Sequence, residues 1–304
     1  MGINRKNKDG LFVFLFGREE RKAWTLDLYN AVNGSHYEDP AEIEINTIEN
    51  AVYMGMKNDV SFILSDEINL YAHQSTYNPN MPLRELMYLG KLYSKYITRI
   101  DAHVYGSKVV ELPVPRLVVF YNGTKEAEDE VILELKDAFP KGIDPNMSDV
   151  QVRVRLLNIN YGKNKKLLDS CKPLMEYSSF VDHARDNKTM GLDLEQAVDK
   201  AIDEMPDDFL IKGLLKAHRA EVKDMWITEY NEADVYRQFK EEGREEGREE
   251  GREEGREEGH AERDQEKIRE MLDDGKLPEE IAEFCHYPIE QVNSVQNSML
   301  STAK

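Results

Sequence analysis

The stretch "NDVSFILSDEINLYAHQST", residues 58–76, contains two runs of strand-forming residues separated by a short polar segment. This pattern predicts a β-hairpin in which "DVSFIL" is the first strand, "SDEI" the turn and "NLYAHQS" the second strand. Side chains two residues apart share one face of a strand, so position 72 and Gln74 lie together. Asp59 begins the partner strand opposite them. Three positions therefore converge at one edge of the predicted sheet.

A carboxylate at position 72 would complete, with Asp59, the type of oxygen site that Mg²⁺ prefers. Gln74 could then orient or polarise a water molecule bound to the metal. The chain instead has Ala72, whose methyl group cannot coordinate a metal. Spacing alone leaves a second interpretation open, in which Asp59 only begins a strand and Gln74 only forms a hydrogen bond in a turn.

The segments around the hairpin predict an α/β fold of the α+β type, in the order helix, three strands, helix, strand. The first helix lies in "REERKAWTLDLYNAVNG" and the first strand within "EIEINTIENAVYMGM". The second helix, "MPLRELMYLGKLYSKYITRIDAHVYG", has an apolar face that includes Ile100. "RLVVFYNG" is the fourth strand, "VQVRVRLLNINY" is a further strand, and residues 164–235 are mostly helical.

Three zones follow one another along the chain. Residues 1–235 have the pattern of a globular domain. Residues 236–264 form a low-complexity spacer, in which "EEGR" occurs four times before "EEGH". This spacer has no apolar residue to bury in its repeats, and its glycines disfavour a stable helix. Residues 265–304 regain apolar periodicity and predict a small helical module.

Composition limits the class of protein. No run of residues is long and apolar enough to span a membrane, and Cys171 and Cys285 form no disulfide or zinc pattern, which fits a reducing cytoplasm. The net charge is −19, but residues 241–304 hold 9 Lys/Arg against 20 Asp/Glu, and residues 1–240 hold 31 against 39. Charge therefore disfavours a nucleic-acid partner only weakly. Motifs such as GxxxxGK[ST], GxSxG and HExxH do not occur.

The runs "YMGMKNDVSFIL", "NLYAHQSTYNPNMPLR" and "FYNGT" resemble the PD-(D/E)XK nucleases, and more narrowly the recombination-promoting nuclease/transposase-like family. The resemblance extends through "LNINYGKN", "EYSSFVDHARDN", "AEVKDMWITEY" and the EEGR repeats, so it covers nearly the whole chain. It implies a restriction-endonuclease-like core of order helix-strand-strand-strand-helix-strand, with helical C-terminal additions.

The resemblance also implies a Mg²⁺-dependent DNA endonuclease, with Mn²⁺ as a possible substitute, that acts in recombination, mobile-element movement or defence against foreign DNA. Asp59 matches the family's metal-binding aspartate and Gln74 the last motif position. Position 72 would carry a glutamate, in a stretch reading "YEHQST". Ala72 therefore predicts a catalytically dead chain, either engineered, the explanation that we favour, or naturally inactive. The alternative function is a non-catalytic regulatory protein that keeps the nuclease fold to bind DNA or another protein.

Several other residues have a functional and a structural interpretation. Asp9 could be an accessory acid of the site or the N-cap of a helix. Glu20 could be a second accessory acid or a solvated residue on the surface of the first helix. Arg84, near the start of the long helix, could contact a DNA phosphate or pair with a surface acid. Lys57 could contact the DNA backbone or form an ordinary surface interaction. His73 lies on the strand face opposite position 72, which favours a packed histidine over a general base.

The C-terminal module resembles a helix-turn-helix, with apolar residues such as Ile281, Phe284 and Val292 at helical spacing. DNA recognition is one interpretation, but residues 265–304 hold four Lys/Arg against eight Asp/Glu. Docking or dimerisation is the interpretation that we favour, and it predicts a homo-oligomer assembled through these helices.

Overall fold

The predicted hairpin is present in the computed structural model, which describes residues 10–46, 59–144, 147–230, 263–285 and 287–302. Its strands β2 (Asp59–Leu64) and β3 (Glu67–Gln74) are antiparallel and run without interruption from the Asp59–Ala72 pair to the Leu64–Glu67 pair. The turn contains only two residues, and Ser65 adopts a φ of 53°. Two-residue hairpin loops require such left-handed backbone conformations.

The hairpin belongs to a mixed six-stranded sheet of order β1-β2-β3-β4-β6-β5. β3, β4 and β6 are parallel to one another, whereas β1, β2 and β5 are antiparallel to their neighbours. The other four strands are β1 (Glu44–Ile45), β4 (Val114–Tyr121), β5 (Glu130–Glu134) and β6 (Arg153–Asn158).

Helices cover both faces of this sheet, so the protein is α/β with a mixed sheet. They are α1 (Leu11–Phe16), α2 (Lys22–Asn33), α3 (Met81–Arg99), α4 (Lys165–Ser170), α5 (Lys172–Thr189), α6 (Leu194–Glu204) and α7 (Leu210–Ala217), followed by a helical segment over 219–230. α3 packs on one face, where Tyr88 and Leu92 meet Leu70. α1, α2 and α4–α7 enclose the larger core on the opposite face, around residues such as Phe62 and Phe120.

α3 connects the parallel strands β3 and β4, as parallel pairing requires. Its buried residues repeat at helical spacing through Met81, Glu85, Tyr88 and Leu92. The predicted apolar face is correct for its middle part, but Ile100 is 42% exposed because the helix ends at Arg99.

Other sequence expectations need adjustment. The strand within "EIEINTIENAVYMGM" extends only over Glu44–Ile45 among the described residues, and β5 was not anticipated. α2 ends as predicted before Gly34, which adopts a φ of 64° and caps the helix through its backbone N–H. The buried run "LFVFLF" forms α1, although its uniform apolarity gives no helical periodicity.

The chain divides into two compact units, Met1–Ala233 and Asp234–Lys304. Within the second unit, residues 263–273, Pro278–Cys285 and Ile289–Thr302 are helical. They pack around Ile268, Ile281, Val292 and Val295. Phe284, expected beside Ile281 on an apolar face, is 81% exposed. Among the helices that the structure describes, none is long and apolar enough to cross a membrane.

Candidate active site

Asp59 and Ala72 are direct partners across the hairpin. Asp59 is the first residue of β2, and its Cα pairs with that of Ala72 in β3. Gln74, the last residue of β3, lies two positions further along the same face of the strand. The three positions predicted to form the site are therefore brought together at one end of the hairpin, on the face that α3 covers.

Position 72 is enclosed. The Ala72 side chain is fully buried in a cluster that includes Met81, Val119 and Tyr121. Val119 is also its Cα partner in the neighbouring parallel strand β4. The Ala72 side chain supplies no oxygen atom beside Asp59, so a second carboxylate ligand has to come from another element.

Glu85 is a second buried carboxylate on the face that α3 covers, and it was not predicted from the sequence as a site residue. α3 places Glu85 in its buried stripe, where the residue is only 2% exposed. Its carboxylate interacts electrostatically with Asp59, and its Oε2 atom has no hydrogen-bond partner within the part of the chain that the structure describes. A sequence signal existed, because Glu85 interrupts an otherwise apolar stripe with Met81, Tyr88 and Leu92.

Burial dominates the electrostatics of the two acids. It raises the pKa of Asp59 to about 7, against a smaller opposing effect of the Arg84 charge. Burial also raises the pKa of Glu85 well above its usual value, with the neighbouring Asp59 acting in the same direction and Arg84 again opposing. Both acids therefore hold protons more tightly than in water, as expected for adjacent carboxyl groups of low exposure.

Arg84 and Gln74 meet at the rim of this site. With the Gln74 amide oxygen toward α3, it accepts a hydrogen bond from Arg84 Nη1 at 2.7 Å, while the amide nitrogen donates to the Thr76 carbonyl at 3.1 Å. Arg84 Nη1 also lies 3.5 Å from Met81 Sδ. The guanidinium is partly exposed, so it combines contact with the site and access to solvent.

His73 points to the opposite side of the sheet. Its side chain is 4% exposed and its ring stacks on Phe12 at 5.3 Å. The Nε2 atom lies 3.0 Å from the Tyr177 hydroxyl. Burial, reinforced by the positive charge of Arg185, lowers the pKa of His73 to about 3. His73 is thus a neutral core histidine at ordinary pH, separated by the sheet from Asp59.

Of the remaining predicted residues, the structure describes only Glu20. Glu20 is exposed in a short 3-10 turn, Glu19–Arg21, which precedes α2. Asp9 and Lys57 fall outside the described residues. Within the described ranges, no group of three or more His, Cys, Asp or Glu residues is arranged to hold a metal ion. The site therefore rests on the two carboxylates of Asp59 and Glu85, with Gln74 and Arg84 at its rim.

No protein-family model, curated protein or solved structure matches this chain.

The donor set suits a hard divalent cation. Mg²⁺ is commonly held by one or two carboxylates and keeps several of its waters. Asp59 and Glu85 provide two carboxylates from different elements, and the unpaired Oε2 of Glu85 is an available ligand atom. A glutamate at position 72 would add a third carboxylate on the same face as Asp59.

Proposed function

We propose that this fold is that of a Mg²⁺-dependent DNA endonuclease of the PD-(D/E)XK superfamily, in the recombination-promoting nuclease/transposase-like family. Position 72 holds a glutamate in the active form, and the chain with Ala72 cleaves DNA poorly or not at all. The biological role lies in recombination, mobile-element movement or defence against foreign DNA. The free thiols of Cys171 and Cys285 fit a cytoplasmic location.

One observation carries this proposal: Asp59 pairs directly with Ala72, and Gln74 shares the same strand face two residues later. This is the relation that the Asp and Glu-x-Gln motif positions of the family require. The element order α2, β1, β2, β3, α3, β4 supports a restriction-endonuclease-like core. The burial of Asp59 supports it as well, because a carboxylate of 5% exposure is costly without a charged partner.

The roles of the residues follow from their positions. Asp59 and a glutamate at position 72 would hold the cation, which supplies an acidified water and neutralises phosphate charge. Gln74 orients a water or a phosphate oxygen through its amide, which lies beside Arg84 and Thr76. Arg84 lies partly exposed near the N-terminus of α3, where a guanidinium can meet a phosphate.

A plasmid cleavage assay tests the proposal. Supercoiled DNA is incubated with Mg²⁺ and the unaltered chain, Ala72→Glu, Ala72→Gln, or the double variant Ala72→Glu with Asp59→Ala. We expect nicking or linearisation by Ala72→Glu alone. Ala72→Gln is the matched control because it introduces the same volume without a charge.

The proposal fails if Ala72→Glu is folded and leaves every form of DNA tested intact. Cleavage by the double variant at the rate of Ala72→Glu would also contradict it, because Asp59 would then be dispensable. If phosphate contacts dominate DNA recognition, the logarithm of the binding constant should fall linearly with the logarithm of salt concentration, with little dependence on base sequence.

A second candidate function is a non-catalytic DNA- or protein-binding regulator that keeps this fold. The packing at position 72 favours it, because Met81, Val119 and Tyr121 enclose the Ala72 methyl group. This candidate predicts salt-dependent DNA binding, or partner binding, by the unaltered chain, together with no cleavage by Ala72→Glu.

We also propose that the C-terminal helices mediate homo-oligomerisation, as a dimer. Phe284 is 81% exposed and Leu277 is 60% exposed in this small unit, which leaves large apolar side chains available to a second copy. Measuring the mass in solution of the full chain and of a chain lacking residues 241–304 tests this. An unchanged oligomeric state after the deletion would rule out assembly through these helices.

A further inference from the structure

Among the helices that the structure describes, α3 has the largest excess of positive charge. Its 19 residues include four Lys/Arg and a single acid, Glu85, which is buried. By contrast, α6 holds one lysine against four acids, and residues 1–240 as a whole hold 31 Lys/Arg against 39 Asp/Glu. The exposed side of α3 is therefore a cationic strip on an otherwise acidic domain.

Three of the four cations form one row along the helix. Arg84, Lys91 and Lys95 are seven and four residues apart, so at about 100° per residue they lie within about 40° of one another around the helix axis. Lys91 and Lys95 are exposed, and Arg84 is partly exposed. The fourth cation, Arg99, pairs with Glu44 of β1. At about 1.5 Å per residue, the row is about 16 Å long.

The row begins at the candidate active site. At its first end, Arg84 Nη1 donates a hydrogen bond of 2.7 Å to the Gln74 amide oxygen. At its other end, Lys95 Nζ donates to the carbonyl of Asn46 at 3.4 Å, next to the end of β1. A ligand bound along the row would therefore extend from the Gln74 end of β3 along the length of α3.

A shallow groove lies beside the two lysines. Its volume is about 530 Å³, and it is lined by Met87, Gly90, Lys91, Ser94 and Lys95. Gly90 lies in the middle of α3, where glycine disfavours a helix relative to alanine. A Cβ atom at this position would meet no atom of the described chain within 4 Å, so internal packing does not require glycine there. The missing side chain instead lets a ligand approach the helix backbone closely.

We propose that this row on α3 binds the sugar-phosphate backbone of duplex DNA and holds it against the candidate active site. Contacts to phosphates fix the position of a duplex without reading its bases. One strand places a phosphate about every 3.4 Å along the duplex axis, so the row matches the rise of about five base pairs. The choice of DNA as the polyanion rests on the proposed function, whereas the binding itself does not require cleavage.

Fluorescence anisotropy of the full chain with a fluorescein-labelled duplex tests this inference. Binding is measured in EDTA between about 50 and 200 mM KCl, with two duplexes of unrelated sequence. The unaltered chain is compared with a double variant in which Lys91 and Lys95 are both glutamine, and with one in which both are arginine. The matched control changes Lys165 and Lys166 to glutamine, because these exposed lysines belong to α4 on the opposite face of the sheet.

We expect the logarithm of the binding constant to fall linearly with the logarithm of the KCl concentration. The glutamine variant of α3 should bind at least about tenfold more weakly at roughly 100 mM KCl. Its slope should be shallower by about 1.8, because each lost phosphate contact removes about 0.9. Both duplexes should be affected equally, since phosphate contacts carry no sequence information. The arginine variant and the α4 control should keep the slope of the unaltered chain.

Three results would overturn the inference: no binding of the duplex by the unaltered chain, an unchanged slope in the glutamine variant of α3, or an equal change of slope in the α4 control. Circular dichroism checks that each variant is folded, and the arginine variant tests the row without removing its charge. Polyglutamate that displaces the duplex as effectively as unlabelled DNA would assign the row to acidic polypeptides and would also overturn it.

Failure here is separable from failure of the proposed function. Cleavage by Ala72→Glu, together with an unchanged slope in the glutamine variant of α3, would keep the nuclease and reject the row as its DNA-binding surface. A shallower slope in a chain whose Ala72→Glu variant never cleaves would keep the row and reject the nuclease.

Discussion

Replacing Asp59 by asparagine should stabilise the protein when divalent cations are absent. Burial raises the pKa of Asp59 from its usual value of 3.8 to about 7. The folded state therefore binds a proton that the unfolded state has released between these pH values, so ionisation works against folding. Below pH 3.8 the Asp59 carboxyl is protonated in both states and does not destabilise the folded state. As the pH rises from 3.8 through 7, its ionisation lowers the free energy of unfolding.

The magnitude follows from the size of this change. One pH unit in a pKa corresponds to about 1.4 kcal/mol, so a rise of roughly three units costs the folded state at most about 4 kcal/mol at pH 8. Water entry and local relaxation reduce such penalties, and the carboxyl shares its surroundings with Glu85, so we expect about 2 kcal/mol. Asp59→Asn removes this cost, and its advantage should grow from pH 4 to pH 7 and then remain constant.

Urea unfolding in EDTA, followed by tryptophan fluorescence at pH 4.5 and pH 8, provides the assay. Both tryptophans, Trp24 and Trp226, lie in the first unit, so the signal reports the domain that contains Asp59. Asp149→Asn, in an exposed loop, is the control and should change stability little. An Asp59→Asn variant that is no more stable than the unaltered chain at pH 8, or whose advantage does not depend on pH, would refute the reasoning.

Three further predictions concern other parts of the chain. Glu176→Leu should lower the free energy of unfolding in urea by about 3 kcal/mol. The buried carboxylate of Glu176 accepts hydrogen bonds of 2.9 and 3.0 Å from two backbone N–H groups at the start of α7, and leucine leaves both without a partner. An unchanged free energy of unfolding would show that water can replace the carboxylate. Native iodoacetamide labelling at pH 8 should modify Cys285 and spare Cys171, since Cys171 is 1% exposed and burial raises its pKa to about 12; equal labelling would contradict the packing of α5. Phe284→Ser should lower the solution mass measured by light scattering, because it removes a large exposed apolar ring from the proposed interface. An unchanged mass would show that this ring takes no part in assembly.

The hairpin could be predicted from the sequence because it depends only on residues that are close together in the chain. Two runs of strand-forming residues around a polar turn predicted the hairpin, and the two-residue period of a strand placed Ala72 and Gln74 on one face, opposite Asp59. The turn itself is shorter than the predicted "SDEI", because pairing continues to Leu64 and Glu67. The C-terminal end of α2 could also be predicted from the sequence, because Gly34 supplies the left-handed residue with which many helices end.

Glu85 could not be assigned in this way because its role depends on long-range packing. Its position in the buried stripe of α3 is readable from helical spacing, but the approach of that stripe to the start of β2 is a tertiary contact. β5 was missed for a related reason, since a short strand at the edge of a sheet is defined by its pairing with β6. α1 lacks periodicity because all of its residues are buried.

The connection through α3 has a consequence for the order in which the molecule folds. The β2–β3 hairpin brings Asp59 and Ala72 together through a two-residue turn, a contact that can form early because it closes a short loop. Glu85 lies on α3, which follows β3 in the chain, so it reaches this region only when α3 has folded back over the sheet. The contact between Asp59 and Ala72 is therefore local to the hairpin, whereas the placement of Glu85 depends on helix-to-sheet packing, which closes a longer loop.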